Sequence, residues 1–372
     1  MNLHNLDEFL RLSAVISYQL NAGDTGLENV AIIVSGPHRL SDEQQAVLLS
    51  TLRYLREAYG PARRNLGPLS VLHPIRAAAL LSRAQQPFSF LDLLTELLHD
   101  KFEDIRQDGI PFERWQTLED SFHQILKQMN HQDEWFLMER LRILTRECAG
   151  ETYSQHIGAL VARSRKTPEL IAVKLADRLD NTLDMRVAVR DPLDDIDFFE
   201  GLFRLLFVKG HSGWQQQTRH SSHVAIDGAQ RLRQLYKNVV LLSVMRKHRA
   251  VLAPPDLELF QAIAEASANE AKRIVHHIFA YHLTGADKQR EIISRILFPS
   301  AASGSIPELP RDPEVMLVQL FTPMLDEQDR DVRRKHLQAL YLNKKMMIRA
   351  AFGLLTVCLN FLNDTSYFIE HV

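Results

Sequence analysis

The run LLTELLHDKFED, residues 93–104, decides the fold of this chain. Its apolar residues have the spacing of a buried helix. The same run carries four ionisable residues, His99, Asp100, Glu103 and Asp104. Side chains four residues apart share one side of a helix, so these groups are predicted to project together. A buried carboxylate costs several kcal/mol unless it is paired or binds a cation. The cluster therefore predicts a metal site, with a solvated polar helix face as the alternative.

A second segment, ARRNLGPLSVLHPIRAAALL (residues 62–81), carries His73 directly before Pro74. Proline is favoured in the first turn of a helix, because its missing N–H would have no intrahelical partner there. A helix is therefore predicted to begin here, with His73 at its start and able to point into a cleft. Taken alone, such a histidine is more often a cap or a surface residue.

A third segment, ELIAVKLADRLDNTLDM (residues 169–185), has the apolar spacing of a buried helix interrupted by Asp177. Asn181 follows one turn later on the same face. In isolation, Asp177 is more readily explained as a buried ion-pair partner of Arg178 or Arg64. Together with the first two segments it supplies a further metal ligand.

The three segments together predict a donor set of two imidazoles and two carboxylates, from His73, His99, Asp100 and Asp177. This set suits Mn²⁺, with Fe²⁺ or Zn²⁺ as alternatives. Such an ion lowers the pKa of water and neutralises charge on a phosphoryl group. Glu103 and Asp104, one turn beyond the ligands, are predicted to move protons during the reaction. The pattern is typical of a metal-dependent phosphohydrolase.

The order His…His-Asp…Asp resembles that of the HD superfamily, and the surrounding sequence resembles its RelA/SpoT-type branch. The hydrolase domains of that branch cleave the alarmone (p)ppGpp. They typically read Arg-x-Ser-Gly-x-Pro-Tyr-x-x-His-Pro, then LLHDxxED, then VKLADRLxN. This chain has LLHDKFED and VKLADRLDN, and Arg64, Gly67 and His73 keep the spacing of the first motif. The segment ILTRECAGETYSQHI is similar to the linking segment of these domains, so the resemblance covers about residues 45–200.

The resemblance implies an all-α, HD-type helical hydrolase with Mn²⁺ held by the four ligands named above. It implies that Glu103 and Asp104 form the catalytic pair. Arg64 would lie against the nucleotide base, and Asn181 and Lys174 would bind the substrate. The reaction in the family removes the 3′-diphosphate as pyrophosphate and regenerates GDP or GTP. Both the HD and the ED pair are intact here, which favours an active enzyme.

The chain departs from the branch at Leu66, Leu69, Ser70 and Asp184. In the family these positions surround the base and ribose, so the metal chemistry is supported better than guanine selectivity. One alternative is therefore a phosphohydrolase for another nucleotide, such as an adenine alarmone or a 2′- or 3′-phosphorylated nucleotide. A second alternative is a non-catalytic nucleotide-binding regulator whose C-terminal helices bind protein partners.

Composition predicts a soluble cytoplasmic protein. A net charge of −2 gives no general attraction to nucleic acid or to a membrane. Two cysteines, Cys148 and Cys358, are too few and too far apart for a disulfide framework, which fits a reducing compartment. The N-terminal residues do not have the pattern of a signal peptide. The apolar stretch AAFGLLTVCLNFL (residues 350–362) is predicted to be too short to span a bilayer.

Helical spacing dominates the whole chain. An HD-type domain is predicted over 1–200, with a helical extension at 1–44 and a soft boundary near 195–200. Residues 201–372 are predicted to form a helical accessory region that offers a surface to a second copy or to a protein partner. The run VAIIV at 30–34 is compatible with a strand or a helix, and Ser41 with Gln44 predicts a capping-box start. Continuous helices are predicted over 111–149, 222–247 and 328–362.

Overall fold

The computed structural model describes residues 6–64, 68–85, 87–146, 150–187, 197–215, 227–251, 253–298 and 312–372. Within these residues the chain is helical, with an isolated β-bridge between Arg63 and Leu69 and no strand. The predicted all-α fold class is confirmed. Leu66, Gly67 and Cys148, which the sequence singled out, lie outside the described residues.

The helices of the N-terminal half are α1 (Leu6–Leu20), α2 (Gly23–Ser35), α3 (Asp42–Tyr59), α4 (Leu72–Ala84), α5 (Phe90–Leu98), α6 (Lys101–Asp104), α7 (Phe112–Lys127), α8 (His131–Leu144), α9 (Tyr153–Arg163) and α10 (Leu170–Leu183). Those of the C-terminal half are α11 (Phe198–Phe207), α12 (Gly228–Lys247), α13 (Pro254–Tyr281), α14 (Ala286–Leu297), α15 (Pro313–Asp326), α16 (Arg330–Leu342) and α17 (Lys344–Asn363).

The chain divides into two compact units. The first comprises Met1–Glu151, Gln155–Ala188 and His248–Ile263. The second comprises Thr152–Ser154, Val189–Lys247 and Ala264–Val372. The division predicted from the sequence does not include the return of His248–Ile263 to the first unit, and its boundary near 195–200 begins in a segment outside the described residues.

Helix α4 is the centre of the first unit and packs against α1, α2, α5 and α10. Its Ala77, Ala78 and Ala79 are fully buried, so small side chains let the neighbouring helices approach closely. Helix α10 is buried almost all round as well. A helix buried on every side belongs to a core. The two helices that carry His73 and Asp177 are therefore held firmly by packing.

The ambiguous run VAIIV is part of helix α2. Leu27, Val30, Ala31 and Val34 are buried, and their spacing is that of one helix face. Ile32 is exposed on the other side. The alternation that a half-buried strand needs is absent, which explains why the run is helical.

The start of α3 confirms the capping box predicted from the sequence. The Ser41 hydroxyl accepts a hydrogen bond from the Gln44 N–H at 3.2 Å, and the Gln44 side chain accepts one from the Ser41 N–H at 3.1 Å. These two bonds satisfy donors that the first turn leaves unpaired. Helix α3 ends at Tyr59, directly before Gly60.

Three helices that the sequence predicted to be continuous are interrupted. The first breaks at a turn formed by His99 and Asp100, between α5 and α6. The second and third break before α8 and α17, where the side chains of Asn130 and Asn343 each accept a hydrogen bond from the backbone three residues later. Asparagine favours helix N-termini for this reason. These predictions of continuity were wrong.

In the second unit, α12 packs against α15, α16 and α17, and α14 packs against α11 and α17. By length and composition alone α17 could cross a membrane, because it extends beyond the 13-residue apolar stretch considered in the sequence. However, 61% of its most apolar window is buried inside the unit, as in the core helix of a soluble protein.

Candidate metal centre

Three structural elements bring the predicted ligands into place. His73 lies in the first turn of α4, directly before Pro74, as predicted. Asp177 projects from the middle of α10. His99 and Asp100 occupy the turn between α5 and α6 rather than a continuous helix.

The four predicted ligands meet at one point. His73, His99 and Asp177 each offer a ligand atom, and these atoms lie within 4.8 Å of one another. Asp177 Oδ1 is 3.4 Å from His73 Nε2 and 3.8 Å from His99 Nε2. Asp100 Oδ2 is 3.5 Å and 3.1 Å from the same two nitrogen atoms. The two Nε2 atoms and two carboxylates therefore face a common centre.

The other nitrogen of each imidazole is engaged on the side away from this centre. His73 Nδ1 lies 2.7 Å from Asp180 Oδ2, and His99 Nδ1 lies 2.6 Å from the Glu96 carbonyl oxygen. When Nδ1 donates to such acceptors, Nε2 keeps its lone pair for a metal. The buried His99 Nε2 makes no well-directed hydrogen bond among the described residues, although Asp100 is close. This donor set fits a divalent cation.

The pKa shifts of the ligand residues also favour a site that binds a cation. Burial opposes protonation of His99, but the Asp100, Glu96 and Asp177 carboxylates outweigh it and raise its pKa to about 9. The pKa of His73 is also raised well above its ordinary value, against burial and Arg64, by its carboxylate neighbours. The pKa of Asp177 is lowered despite burial, chiefly by Lys174 and the two histidines. Without a cation, the imidazoles hold protons that offset the carboxylates.

A buried charge network that the sequence reasoning missed supports His73. Arg76, on α4, is completely buried. Its guanidinium donates from Nε to Asp180 Oδ1 at 2.8 Å, from Nη2 to Asp184 Oδ1 at 2.6 Å, and from Nη1 to Ser13 Oγ at 3.0 Å. Asp180 therefore binds the ligand His73 and the cation Arg76 at once. The available signal was spacing, since Arg76 and Asp180 lie three residues after His73 and Asp177.

A second carboxylate that the sequence reasoning missed lies behind His99. Glu96 is fully buried, and among the described residues neither of its carboxylate oxygens has a hydrogen-bond partner. Burial raises its pKa to about 8, and the nearby His99 only partly offsets this effect. Glu96 Oε1 is 3.7 Å from His99 Nδ1. Glu96 therefore adds negative charge near the centre whenever it is ionised.

The predicted catalytic pair is held by two different partners. Glu103 Oε1 accepts a hydrogen bond from the Arg146 backbone N–H at 2.9 Å. Asp104 Oδ2 accepts one from the Tyr59 hydroxyl at 3.0 Å, and Asp104 is exposed. Although the residue as a whole is exposed, partial desolvation of its carboxyl group by the surrounding protein atoms and the charge of Asp100 raise the pKa of Asp104. The two carboxylates therefore diverge, one toward the end of α8 and the other toward the end of α3.

The predicted substrate-binding residues lie around Asp177. Lys174 Nζ is 2.8 Å from Asp177 Oδ2, and the Asn181 amide donates to the Asp177 backbone carbonyl at 2.9 Å. Arg64 Nη2 donates to Asn181 Oδ1 at 2.5 Å. Asp184 is buried and binds Arg76, with its other carboxylate oxygen 3.8 Å from Arg64. Position 184 thus takes part in the buried charge network.

Comparisons of the chain with models of protein families, with curated proteins and with solved structures find no match in any of the three. The candidate metal centre is therefore defined by its own residues and their geometry. It consists of two buried imidazoles, two carboxylates, and the groups that orient and charge them.

Proposed function

We propose that this chain is a metal-dependent phosphohydrolase that removes the 3′-diphosphate from (p)ppGpp-like alarmones and releases pyrophosphate. The resemblance to HD-superfamily hydrolases of the RelA/SpoT type suggests this reaction. The observation that carries the proposal is the meeting of His73, His99, Asp100 and Asp177, with the Nδ1 atoms of both histidines engaged elsewhere. The protein is proposed to act in the cytoplasm on a small nucleotide.

The four ligands would hold Mn²⁺, or Fe²⁺ or Zn²⁺ in its place, because two imidazoles and two carboxylates suit a borderline divalent ion. Such an ion supplies charge neutralisation at the phosphoryl group and a lowered pKa for water. Asp180 and the Glu96 carbonyl fix the two ring orientations in advance. This preorganisation reduces the cost of assembling the site around its substrate.

Cationic groups beside the centre support a phosphate-bearing substrate. Lys174 binds Asp177 directly, and the backbone of Arg146 binds Glu103. Burial, followed by the charges of Lys174 and Arg146, lowers the pKa of His156 to about 4. Both cations therefore lie near the His156 imidazole, which the charge of Asp177 also reaches. They would bind the oxygens of the transferred diphosphate.

Glu103 and Asp104 would handle protons at the reacting atoms. Asp104, with its raised pKa, holds a proton more readily than an ordinary aspartate and would deliver it to the leaving oxygen. Glu103, oriented by the Arg146 N–H, would accept a proton from the attacking water. Arg64 would lie against the base, as a planar guanidinium stacks well on aromatic rings.

The test is a product-resolved assay of protein stripped of metal and reloaded with Mn²⁺, Fe²⁺ or Zn²⁺. We expect pyrophosphate and GDP from ppGpp, and GTP from pppGpp. His99→Ala should abolish release, whereas His131→Ala, a substitution of an exposed histidine, should not change it. The panel includes adenine nucleotides with 3′-phosphates and with 3′-diphosphates.

Two outcomes would replace the proposal. Orthophosphate released from a 2′- or 3′-phosphorylated nucleotide, with ppGpp left intact, would select a phosphohydrolase of different specificity. The tie between Asp184 and the buried network, at a position that surrounds the base and ribose in the family, favours this second candidate. Tight binding of metal and nucleotide without any turnover would select a non-catalytic regulator.

A further inference from the structure

Helix α11 in the second unit presents a stripe of aromatic residues to solvent. Phe199, Phe203 and Phe207 are 49%, 60% and 67% exposed. Because they are four residues apart, they lie along one side of the helix. The rings of Phe203 and Phe207 are in contact, with centroids 5.2 Å apart. Single exposed apolar residues are ordinary, but a contiguous stripe marks an interaction surface.

The opposite side of α11 is fixed firmly in the second unit. Phe198 and Leu205 are buried. A Cβ added at Gly201 would lie 2.7 Å from Trp214 Nε1, so the backbone approaches that ring closely. The Leu205 carbonyl accepts a hydrogen bond from Arg290 Nε at 2.8 Å. The helix is thus anchored by its inner side. On its outer side, Lys272 Nζ lies 5.0 Å from the centre of the Phe199 ring.

A salt bridge runs beside the stripe. Arg204 Nη2 is 2.6 Å from Glu200 Oε1, and both side chains are 57% exposed. We propose that α11 pairs antiparallel with α11 of a second copy of this chain, about a two-fold axis at Phe203. Phe199 of one copy then packs on Phe207 of the other, and Glu200 of one copy faces Arg204 of the other. A two-fold interface must be self-complementary. In this antiparallel arrangement the phenylalanine stripe matches itself in shape, and the Glu200–Arg204 pair matches itself in charge.

The charged residues beside the stripe favour a second copy of the chain, rather than a membrane surface, as the partner that covers it. The acids Asp197 and Glu200 lie close to the bases Lys272 and Arg204, so the surface has no basic excess. An anionic lipid surface would select for such an excess. Taking ~200 Å² for a phenylalanine, the stripe exposes about 700 Å² over two copies. This area is below the roughly 1,000 Å² of a stable interface, so the dimer is expected to be weak and to depend on concentration.

Cysteine cross-linking tests the register. In a Cys148→Ser background, with Cys358 left in place because it is buried, Phe203→Cys should give a disulfide-linked dimer under mild oxidation. Phe199→Cys alone should not, because the two copies of position 199 would be about 12 Å apart along the axis. A mixture of Phe199→Cys and Phe207→Cys proteins should cross-link. Phe112→Cys, at an exposed phenylalanine of the first unit, measures random collision.

Sedimentation velocity over a concentration series tests the energetics. Phe203→Asp should weaken dimerisation about tenfold or more. Glu200→Arg and Arg204→Glu should each weaken it, and the double exchange should restore it. Wild-type protein that stays monomeric at every concentration, together with no cross-link at position 203, would overturn the proposal. So would monomeric protein that binds anionic vesicles through Phe203, since the occupant would then be a membrane.

Discussion

Asp180 binds His73 through one carboxylate oxygen and accepts hydrogen bonds from Arg76 on both oxygens. The distances are 2.7 Å to His73 Nδ1 and 2.8 Å to Arg76 Nε. A proposed metal ligand is therefore connected, through one carboxylate, to the fully buried cation of Arg76. Orientation of the ligand and stability of the core depend on the same side chain.

Asp180→Asn should reduce Mn²⁺ affinity by about 10- to 100-fold. The amide oxygen would turn to the Arg76 donors, so its NH₂ would face His73 Nδ1 and favour the tautomer with the proton on Nε2. Isothermal titration of the metal-free protein measures the effect. Asp184→Asn is the matched control, because Asp184 binds Arg76 but not His73, and it should retain nearly full affinity. Equal losses in both variants would contradict a role in orientation.

Arg76→Met should lower the free energy of unfolding by about 3 kcal/mol, because the buried Asp180 and Asp184 then keep only the more distant, partly exposed Arg64, 3.7 and 3.8 Å away, as a counter-charge. Urea unfolding of the metal-free protein, followed by circular dichroism, measures the loss. Arg56→Ala is the control, since Arg56 pairs with Asp24 at an exposed site. Such a pair contributes about 0–1 kcal/mol. A loss as small as that of the control would show that the network does not stabilise the core.

The stability of the metal-free protein should fall as the pH rises from about 6.5 to 9. His99 has a pKa of about 9 in the folded state and 6.5 as its ordinary value, so the folded state binds its proton more tightly. Glu96, raised from 4.5 to about 8, acts in the same direction. Such stability is fully present below the unfolded pKa and is lost as the pH passes the folded pKa.

Urea unfolding at several pH values measures this decline, which we expect to reach a few kcal/mol. Saturating Mn²⁺ should remove the part of the decline that His99 causes, because an imidazole bound to the metal stays deprotonated throughout. Glu96→Gln should make the decline shallower by deleting one of the titrating groups. Stability that is flat or rising over this range, without metal, would contradict the assigned proton positions.

If the proposed phosphohydrolase activity holds, Tyr59→Phe should lower its kcat about tenfold, with KM little changed. The Tyr59 hydroxyl is the donor that holds Asp104. Tyr54→Phe, on the same helix, is the control, because the buried Tyr54 hydroxyl has no hydrogen-bond partner among the described residues. Steady-state kinetics of both variants measure the changes in kcat and KM. A similar loss at Tyr54 would point to general damage to α3.

The sequence predicted the parts of the site that depend on local chemistry. Pro74 placed His73 at a helix start, and the periodicity of residues 169–185 placed Asp177 on a buried helix. These segments carry imidazole and carboxylate groups, which are metal-binding donors, and this suggested that the segments meet at one metal ion. The resemblance to a family supplied the reaction, which stays a proposal.

The parts that were missed depend on tertiary contacts. Nothing in the spacing of residues 93–104 reveals that the helix breaks at His99, since the apolar pattern continues through the turn. Arg76 was passed over because a lone arginine in an apolar helix normally reaches the surface. Its burial requires acids from another helix, Asp180 and Asp184, and the sequence alone does not reveal their proximity.

The burial of Arg76 has an evolutionary consequence. Neutralising any one member of its network leaves an opposite charge uncompensated in the core. Single substitutions there therefore destabilise the fold, whether or not an activity is under selection. Replacement by apolar side chains is tolerable only when Arg76, Asp180 and Asp184 change as a set. Related sequences without the proposed activity are therefore expected to keep these three residues longer than Glu103 or Asp104, which are less buried.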